Sequence, residues 1–208
     1  MRFSIICASH DENKLASNLL KSPKIDEHEL LILRNYSNVP KAYNKGASES
    51  SCPIQIFVHH DVFLPEEFFD NLSSSISLLP IKEWGLLGVA GKTNLGKDAG
   101  YVLDRDTIFG DKDNLPVEVQ TLDELLLVKH KDNYSFDEKI PSSHHLFGTD
   151  LCFQYKVNGI RNYALSAYCL HNSDYEDIIP ASWLLSAEYL RNKWKDYLPI
   201  QTTCGLIE

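Results

Sequence analysis

A chain of 208 residues, 43% hydrophobic and 24% charged, is ordinary globular material, long enough to bury about 70% of its unfolded surface around one core. Its net charge of −9 argues against bulk affinity for nucleic acid or anionic lipid, which need a basic face, but permits a small anionic ligand met by a local cation or a metal. The five cysteines, Cys7, Cys52, Cys152, Cys169 and Cys204, are odd in number and lack CxxC spacing; with no signal-like or membrane-length apolar run, they predict a cytoplasmic chain of reduced thiols, peripheral at a membrane only through a partner.

The apolar run "FSIICAS" (residues 3–9) reads as a buried parallel strand, and "ENKLASNLLKS" (12–22) as a helix with Leu15, Leu19 and Leu20 at helical spacing. Residues 28–35 form the next strand, and 39–50 a helix with Pro40 in its first turn. "IQIFVHHD" (54–61) is a third strand, 64–79 a helix with acids near its start, and "EWGLLGVAG" (83–91) a fourth strand. This alternation predicts an α/β fold with a mostly parallel central sheet and helices on both faces, its ligands at the carboxyl ends of the strands.

The later sequence is less regular. Residues 92–116, rich in Gly, Asp and Asn, read as a long excursion with a short hairpin near Tyr101. Residues 117–131 read as two strand-like pieces and 134–148 as an irregular loop. A helix is predicted over 149–159, with Thr149 as cap and Gly159 as stop. A late strand over 162–173 ends near His171, and an amphipathic helix over 179–198 aligns Trp183, Ala187, Leu190 and Trp194. No linker divides the chain, so it reads as one domain, with a nucleotide-binding half (1–91) and an acceptor half with the C-terminal helix (92–208).

Three stations carry candidate chemistry: His59-His60-Asp61, Asp150 and His171. A carboxylate and an imidazole from two strand ends can hold a divalent cation with positions left for phosphate oxygens and water. A nearby carboxylate, free of the metal, can act as general base. In a first helical turn, Asp150 is kept ionised by the helix dipole.

"IQIFVHHDVFLP" resembles the aspartate-x-aspartate strand end of family 2 glycosyltransferases with the GT-A fold, with His59 in place of the first acid and Asp61 as the last. "FSIICASHDEN", "VPKAYNKGASES", "SFDEK" followed by "FGTDLCFQYKVNG", and "YCLHNS" resemble further segments of that family in order, over residues 3–173. The closest likeness is to a small bacterial glycosyltransferase-like subgroup. The resemblance implies a GT-A-like enzyme of polysaccharide biosynthesis. It would move a sugar, with inversion, from a nucleotide-diphospho-sugar to a glycan, lipid-linked or protein acceptor. Manganese or magnesium would be held by Asp61 and His171, with His59 as a third ligand or a diphosphate contact and His60 toward the diphosphate. Asp150 would be the base. Ser9, Asp11 and Asn35 would line the nucleotide pocket, Asn44 and Trp84 the donor side, and Asp123 would contact the acceptor.

Plainer roles stand beside these. His59 and His60 can be polar punctuation, Asp61 a turn residue, Asp150 a helix N-terminal acid, Asp123 a cap, and His171 a core or surface histidine. His144 and His145 fit either a solvated loop or a cover over the acceptor. Two other functions remain open: a nucleotide-sugar-binding module without activity, and a metal-dependent phosphodiesterase or nucleotidyltransferase, which would want a denser ligand set.

Overall fold

The structure, a computed structural model, describes residues 1–79, 83–141, 144–174 and 179–208. In chain order its strands are β1 (Ser4–Ser9), β2 (Glu29–Arg34), β3 (Ile54–Val58), β4 (Val62–Phe63), β5 (Leu87–Gly88), β6 (Ala90–Lys92), β7 (Asp98–Asp104), β8 (Thr107–Asp111), β9 (Val117–Val119), β10 (Thr121–Leu122), β11 (Leu126–His130), β12 (Asn162–Ala164), β13 (Cys169–His171), β14 (Ile200–Gln201) and β15 (Leu206–Ile207). The α-helices are α1 (Glu12–Ser17), α2 (Val39–Glu49), α3 (Phe68–Ser77), α4 (Phe147–Lys156) and α5 (Ala181–Lys193).

A strand without a polar side must be covered on both faces. β1 and β3 meet that requirement at the middle of a seven-stranded sheet ordered β2-β1-β3-β11-β5-β12-β9. Ile5, Ile56 and Val128 face one way, onto Leu15 of α1 and Phe68, Phe69 and Leu72 of α3. Ile6, Phe57 and Leu127 face the other, onto Tyr43 of α2, Phe147 and Leu151 of α4, and Trp183 and Leu190 of α5. Full burial of each such side chain stabilises the fold by about 1.5–3 kcal/mol. Gly46 lets α2 lie close to β1, since a Cβ there would stand 2.5 Å from Ile6 Cγ2.

The α/β layering matches expectation, but the sheet is mixed. β1 pairs parallel with β2 and β3, and β5 with β12, whereas β11 runs antiparallel to both β3 and β5, and β9 to β12. A second sheet, ordered β10-β6-β7-β13-β4 with β8 on β7, packs beside the first, and β14 and β15 form a short hairpin.

Several expected elements divide between the sheets. The strand over 83–91 becomes β5 in the first and β6 in the second; that over 162–173 becomes β12 and β13. The excursion over 92–116 contains the β7–β8 hairpin, turned at Arg105 with φ 52°. Helix α1 stops at Asn18, and α4 begins at Phe147 after Leu146 with φ 70°, so Thr149 lies inside the helix and does not cap it. Gly159, with φ 74°, stands at the expected stop.

Candidate active site

The chain passes from the first sheet to the second through His59, His60 and Asp61. His59 N–H donates to Leu125 O, extending the β3–β11 ladder by one residue, and β4 then starts the second sheet. There β13 lies between β4 and β7, with His171 opposite Val62 on one side and Asp104 on the other. Asn172 N–H donates to Asp61 O and Arg105 N–H to His171 O, which fixes both turns. Strand register, not proximity in sequence, thus brings His171 to Asp61.

One ligand atom from each of His59, Asp61 and His171 lies within 4.8 Å of the others. His171 Nε2 is 3.5 Å from Asp61 Oδ1, and its Nδ1 is 3.6 Å from Asp104 Oδ2. Asp61 Oδ1 is buried and makes no hydrogen bond among the described residues. A buried carboxylate oxygen without a hydrogen-bond donor is costly unless a cation meets it; protonated His171 is one such cation and a divalent metal in place of its proton is another, so this set fits a divalent metal. Two imidazoles and one carboxylate suit manganese better than magnesium, which prefers oxygen.

Burial drives His59 down to about 4, against the pull of Asp61, so its ring is neutral at pH 7 and has a lone pair to give. Burial would also lower His171, but Asp104 and Asp61 outweigh it and push it up to about 10. Burial would raise Asp61, yet the imidazoles of His171, His59 and His60 hold its carboxyl well below the usual range.

Two connected hollows open on this cluster. A cavity of about 490 Å³ lies over the second sheet, walled by Asp104, Asp123, Glu124, His145 and the Thr203-Cys204 tip of the β14–β15 hairpin. A narrower recess of about 120 Å³ lies over β1 and β2, lined by Ser9, Leu33, Tyr36, Val39 and Tyr43. His10, His59, His60, Asp61 and His144 border both. The one lysine or arginine among the described lining residues is Lys14, which is paired with Asp174.

Glu124, 8% exposed, stands on this wall between β10 and β11. Its Oε1 accepts from Gly148 N–H at 2.9 Å and Thr149 N–H at 3.4 Å, in the first turn of α4. A Cβ on Gly148 would stand 3.0 Å from that oxygen, so glycine allows the close approach. Burial, then Asp123, raise the Glu124 carboxyl to about 8, although the helix N–H groups oppose the rise.

Of the residues expected at the site, Ser9, His59, His60, Asp61, Asp123 and His171 line these hollows, and so do His144 and His145. Asp123 also accepts from Leu125 N–H and the Thr203 hydroxyl, so it is a turn residue as well as a wall.

Asp150 requires correction. It is 0% exposed and lines neither hollow; Trp194 Nε1 donates to it at 2.8 Å, Lys193 Nζ at 2.9 Å and Gln154 Nε2 at 2.8 Å. These bonds tie α4 to the end of α5 and leave no path to a substrate. Trp84 is also displaced: β5 runs parallel to β3, so Trp84, in the segment that leads into β5, lies at the far end of the sheet, stacked on His130 with centroids 4.1 Å apart. Asn44 bonds to Phe136 and Glu138, away from both hollows. Asp11 caps α1 through Asn13 and Lys14 N–H, and Asn35 sits in the turn after β2 with φ 64°; neither lines a hollow.

Glu124, Asp104, His10 and Tyr36 were not legible as site residues. The acidic pair in "TLDELLLV" was the available signal for Glu124, and an antiparallel β11 was the missing premise that places it at the end of β3.

Residues 4–178 match the family described as "Glycosyltransferase like family". The chain belongs to this family. Among solved structures, the glycosyltransferase-like chain shares the GT-A fold with GalNAc-T7, solved with UDP, GalNAc and Mn²⁺, at TM-score 0.63 and 10% identity over 95% of this chain and 49% of that one. It also matches residues 1–349 of S. aureus TarS in complex with UDP-GlcNAc, at TM-score 0.59 and 15% identity over 85% of this chain and 60% of that one. A curated relative, "ATP synthase subunits region ORF 6" of Fuscovulum blasticum, is 29% identical over 127 residues, 56% of this chain and 50% of its own length. The glycosyltransferase-like chain spans about half the length of that relative. No helix among its described residues is long and apolar enough to cross a membrane.

Proposed function

We propose that this protein transfers a glycosyl group from a nucleotide-diphospho-sugar to an acceptor hydroxyl with inversion, aided by a divalent cation held by His59, Asp61 and His171. The observation that carries this reading is the convergence of His59, Asp61 and His171, with an Asp61 oxygen that accepts no hydrogen bond among the described residues, in a hollow whose lining lysine is already paired. Among the described lining residues a diphosphate there has no free lysine or arginine to meet its charge. When bound, the cation supplies that neutralisation as the leaving diphosphate gains charge. The UDP and Mn²⁺ held by GalNAc-T7 support the same choice.

The narrow recess receives the nucleoside. Tyr36, Leu33 and Val39 offer apolar surface and Ser9 a polar edge. The diphosphate lies at the shared rim, near His59 and His60, and the sugar and acceptor occupy the larger cavity. Glu124, in place of Asp150, is the proton acceptor. The acceptor O–H bond breaks toward its carboxylate, the acceptor oxygen bonds to the anomeric carbon, and the bond from that carbon to the diphosphate breaks on the opposite face. The first 91 residues thus carry the nucleotide side and the remainder the acceptor side of one domain. The five free thiols agree with a cytoplasmic setting, and the acceptor is a glycan, a lipid-linked sugar or a protein.

A phosphodiesterase or nucleotidyltransferase with two metals about 3.5–4 Å apart would need a second ligand group; the described residues hold the single group above. A module without activity would not need a buried carboxylate on the acceptor wall.

The test is thermal unfolding with uridine, guanosine or cytidine diphosphate, with and without manganese. At a free concentration about 100 times its dissociation constant, the bound pair adds about 2.7 kcal/mol, or about 5–10 °C in Tm at this chain length. The shift is expected for one nucleotide, only with manganese, and is lost in Asp61→Asn. If no diphosphate moves the wild-type transition, the reading fails.

A further inference from the structure

We propose that Asp104 is a positioning residue that orients His171 for the cation by accepting a hydrogen bond from Nδ1–H. The inference rests on the metal-assisted reading above.

Imidazole has two nitrogens on opposite sides of its ring, and a neutral ring carries its proton on one of them. His171 directs Nε2 toward Asp61, at 3.5 Å, and Nδ1 toward Asp104 Oδ2, at 3.6 Å. Once a cation displaces the Nε2 proton, the proton kept on Nδ1 leaves the Nε2 lone pair facing Asp61 and His59. Asp104 does not compete as a ligand, because it is not among the residues whose donor atoms converge within 4.8 Å. It stands behind the ring.

The fold holds this arrangement at three points. β7 and β13 pair in parallel with Asp104 and His171 as direct partners, so the carboxylate and ring are set side by side by strand register. Arg105 N–H donates to His171 O at 3.0 Å, which closes the register one residue later. Ser173 Oγ donates to Asp104 Oδ1 at 2.8 Å, so one oxygen is fixed and the other is left for the ring. A ligating histidine whose second nitrogen is held by a carboxylate loses about 10–100-fold in metal affinity when that partner is removed.

The experiment is titration of the full chain with Mn²⁺ alone, the free ion read by electron paramagnetic resonance, without nucleotide or sugar. Asp104→Ala is expected to weaken binding about 10–100-fold. Asp104→Asn is expected to retain most of the affinity. Its amide oxygen can accept the Nδ1 proton, and the Ser173 hydroxyl can reverse to accept from the amide.

Asp104→Ala binding Mn²⁺ within twofold of wild type, while Asp61→Asn does not bind it, overturns the inference and leaves the metal reading standing. Asp104→Asn falling as far as Asp104→Ala also overturns it, since charge and not proton acceptance would then be the contribution. A wild-type chain that does not bind Mn²⁺ removes both the inference and the reading beneath it.

Discussion

Glu124 and Asp150 divide the roles that one acid was expected to fill. Glu124 is on the cavity wall with a carboxyl raised from 4.5 to about 8 by burial and by Asp123. Between those values the folded chain keeps a proton that the unfolded chain has lost, so stability falls as pH rises, by up to about 1.4 kcal/mol per pH unit, and levels off above the folded value. Glu124→Gln should therefore raise Tm at pH 8, flatten its pH dependence from 4.5 upward, and abolish transfer while Mn²⁺ binding persists. Wild-type transfer should increase with pH toward 8. A variant that transfers normally excludes Glu124 as the base. Asp150→Asn should behave in the opposite way: three donors lose the buried carboxylate they share, costing about 2–3 kcal/mol, while Mn²⁺ binding stays at the wild-type level. Denaturant unfolding and metal titration read the two effects separately. Asp150 was legible as an acid near a helix start. What the sequence did not display was that α5 would return over it with Lys193 and Trp194, a contact 44 residues away.

At the scale of elements, periodicity located the segments well and their pairing poorly. The first three strands and α2 stand where their patterns put them, because each is a long apolar or amphipathic run with a plain cap or turn. Asn38, for example, accepts from Lys41 N–H at 2.8 Å with Pro40 in the first turn. Residues 83–91 and 162–173 each read as one strand, since a chain that crosses between two buried sheets keeps its apolar character through the crossing. Direction was less legible still: an antiparallel β11 reads as apolar as a parallel one, and its direction decides whether Glu124 or His130 meets the end of β3. The α2–β1 contact offers a prediction of this scale. Gly46→Ala gains helix propensity of about 1 kcal/mol but drives a methyl to 2.5 Å from Ile6 Cγ2, in a side chain that is 0% exposed. Overpacking of that kind costs about 1–3 kcal/mol. A net loss of stability is expected in denaturant titration; a gain would mean that α2 rides more loosely on the sheet than its spacing indicates.

Over the whole molecule, a net charge of −9 and the carboxylates facing the larger cavity create a field that draws in divalent cations and repels a bare diphosphate. The cation should therefore bind before the nucleotide. Its apparent affinity should weaken several-fold as salt shortens the Debye length from about 30 Å near 0.01 M to about 8 Å near 0.15 M. Titration of Mn²⁺ at the two salt levels measures this, and an unchanged constant would confine the attraction to the three ligands. The GT-A resemblance was visible because motifs such as "FVHHD" and "YCLH" fall in order along the chain. The wall of the larger cavity was not, because it draws on the β10–β11 turn, His144 and His145 before α4 and the β14–β15 hairpin, none of which is marked by its own residues as belonging with the others.

His59 continues the ladder of the first sheet, whereas His171 belongs to the second. A single ion shared by those two rings would join chain segments more than a hundred positions apart, much as a covalent staple does, and pulling the two layers apart would first require its release. Occupancy would then show in the lifetime of the native state, through slower unfolding, as well as in turnover.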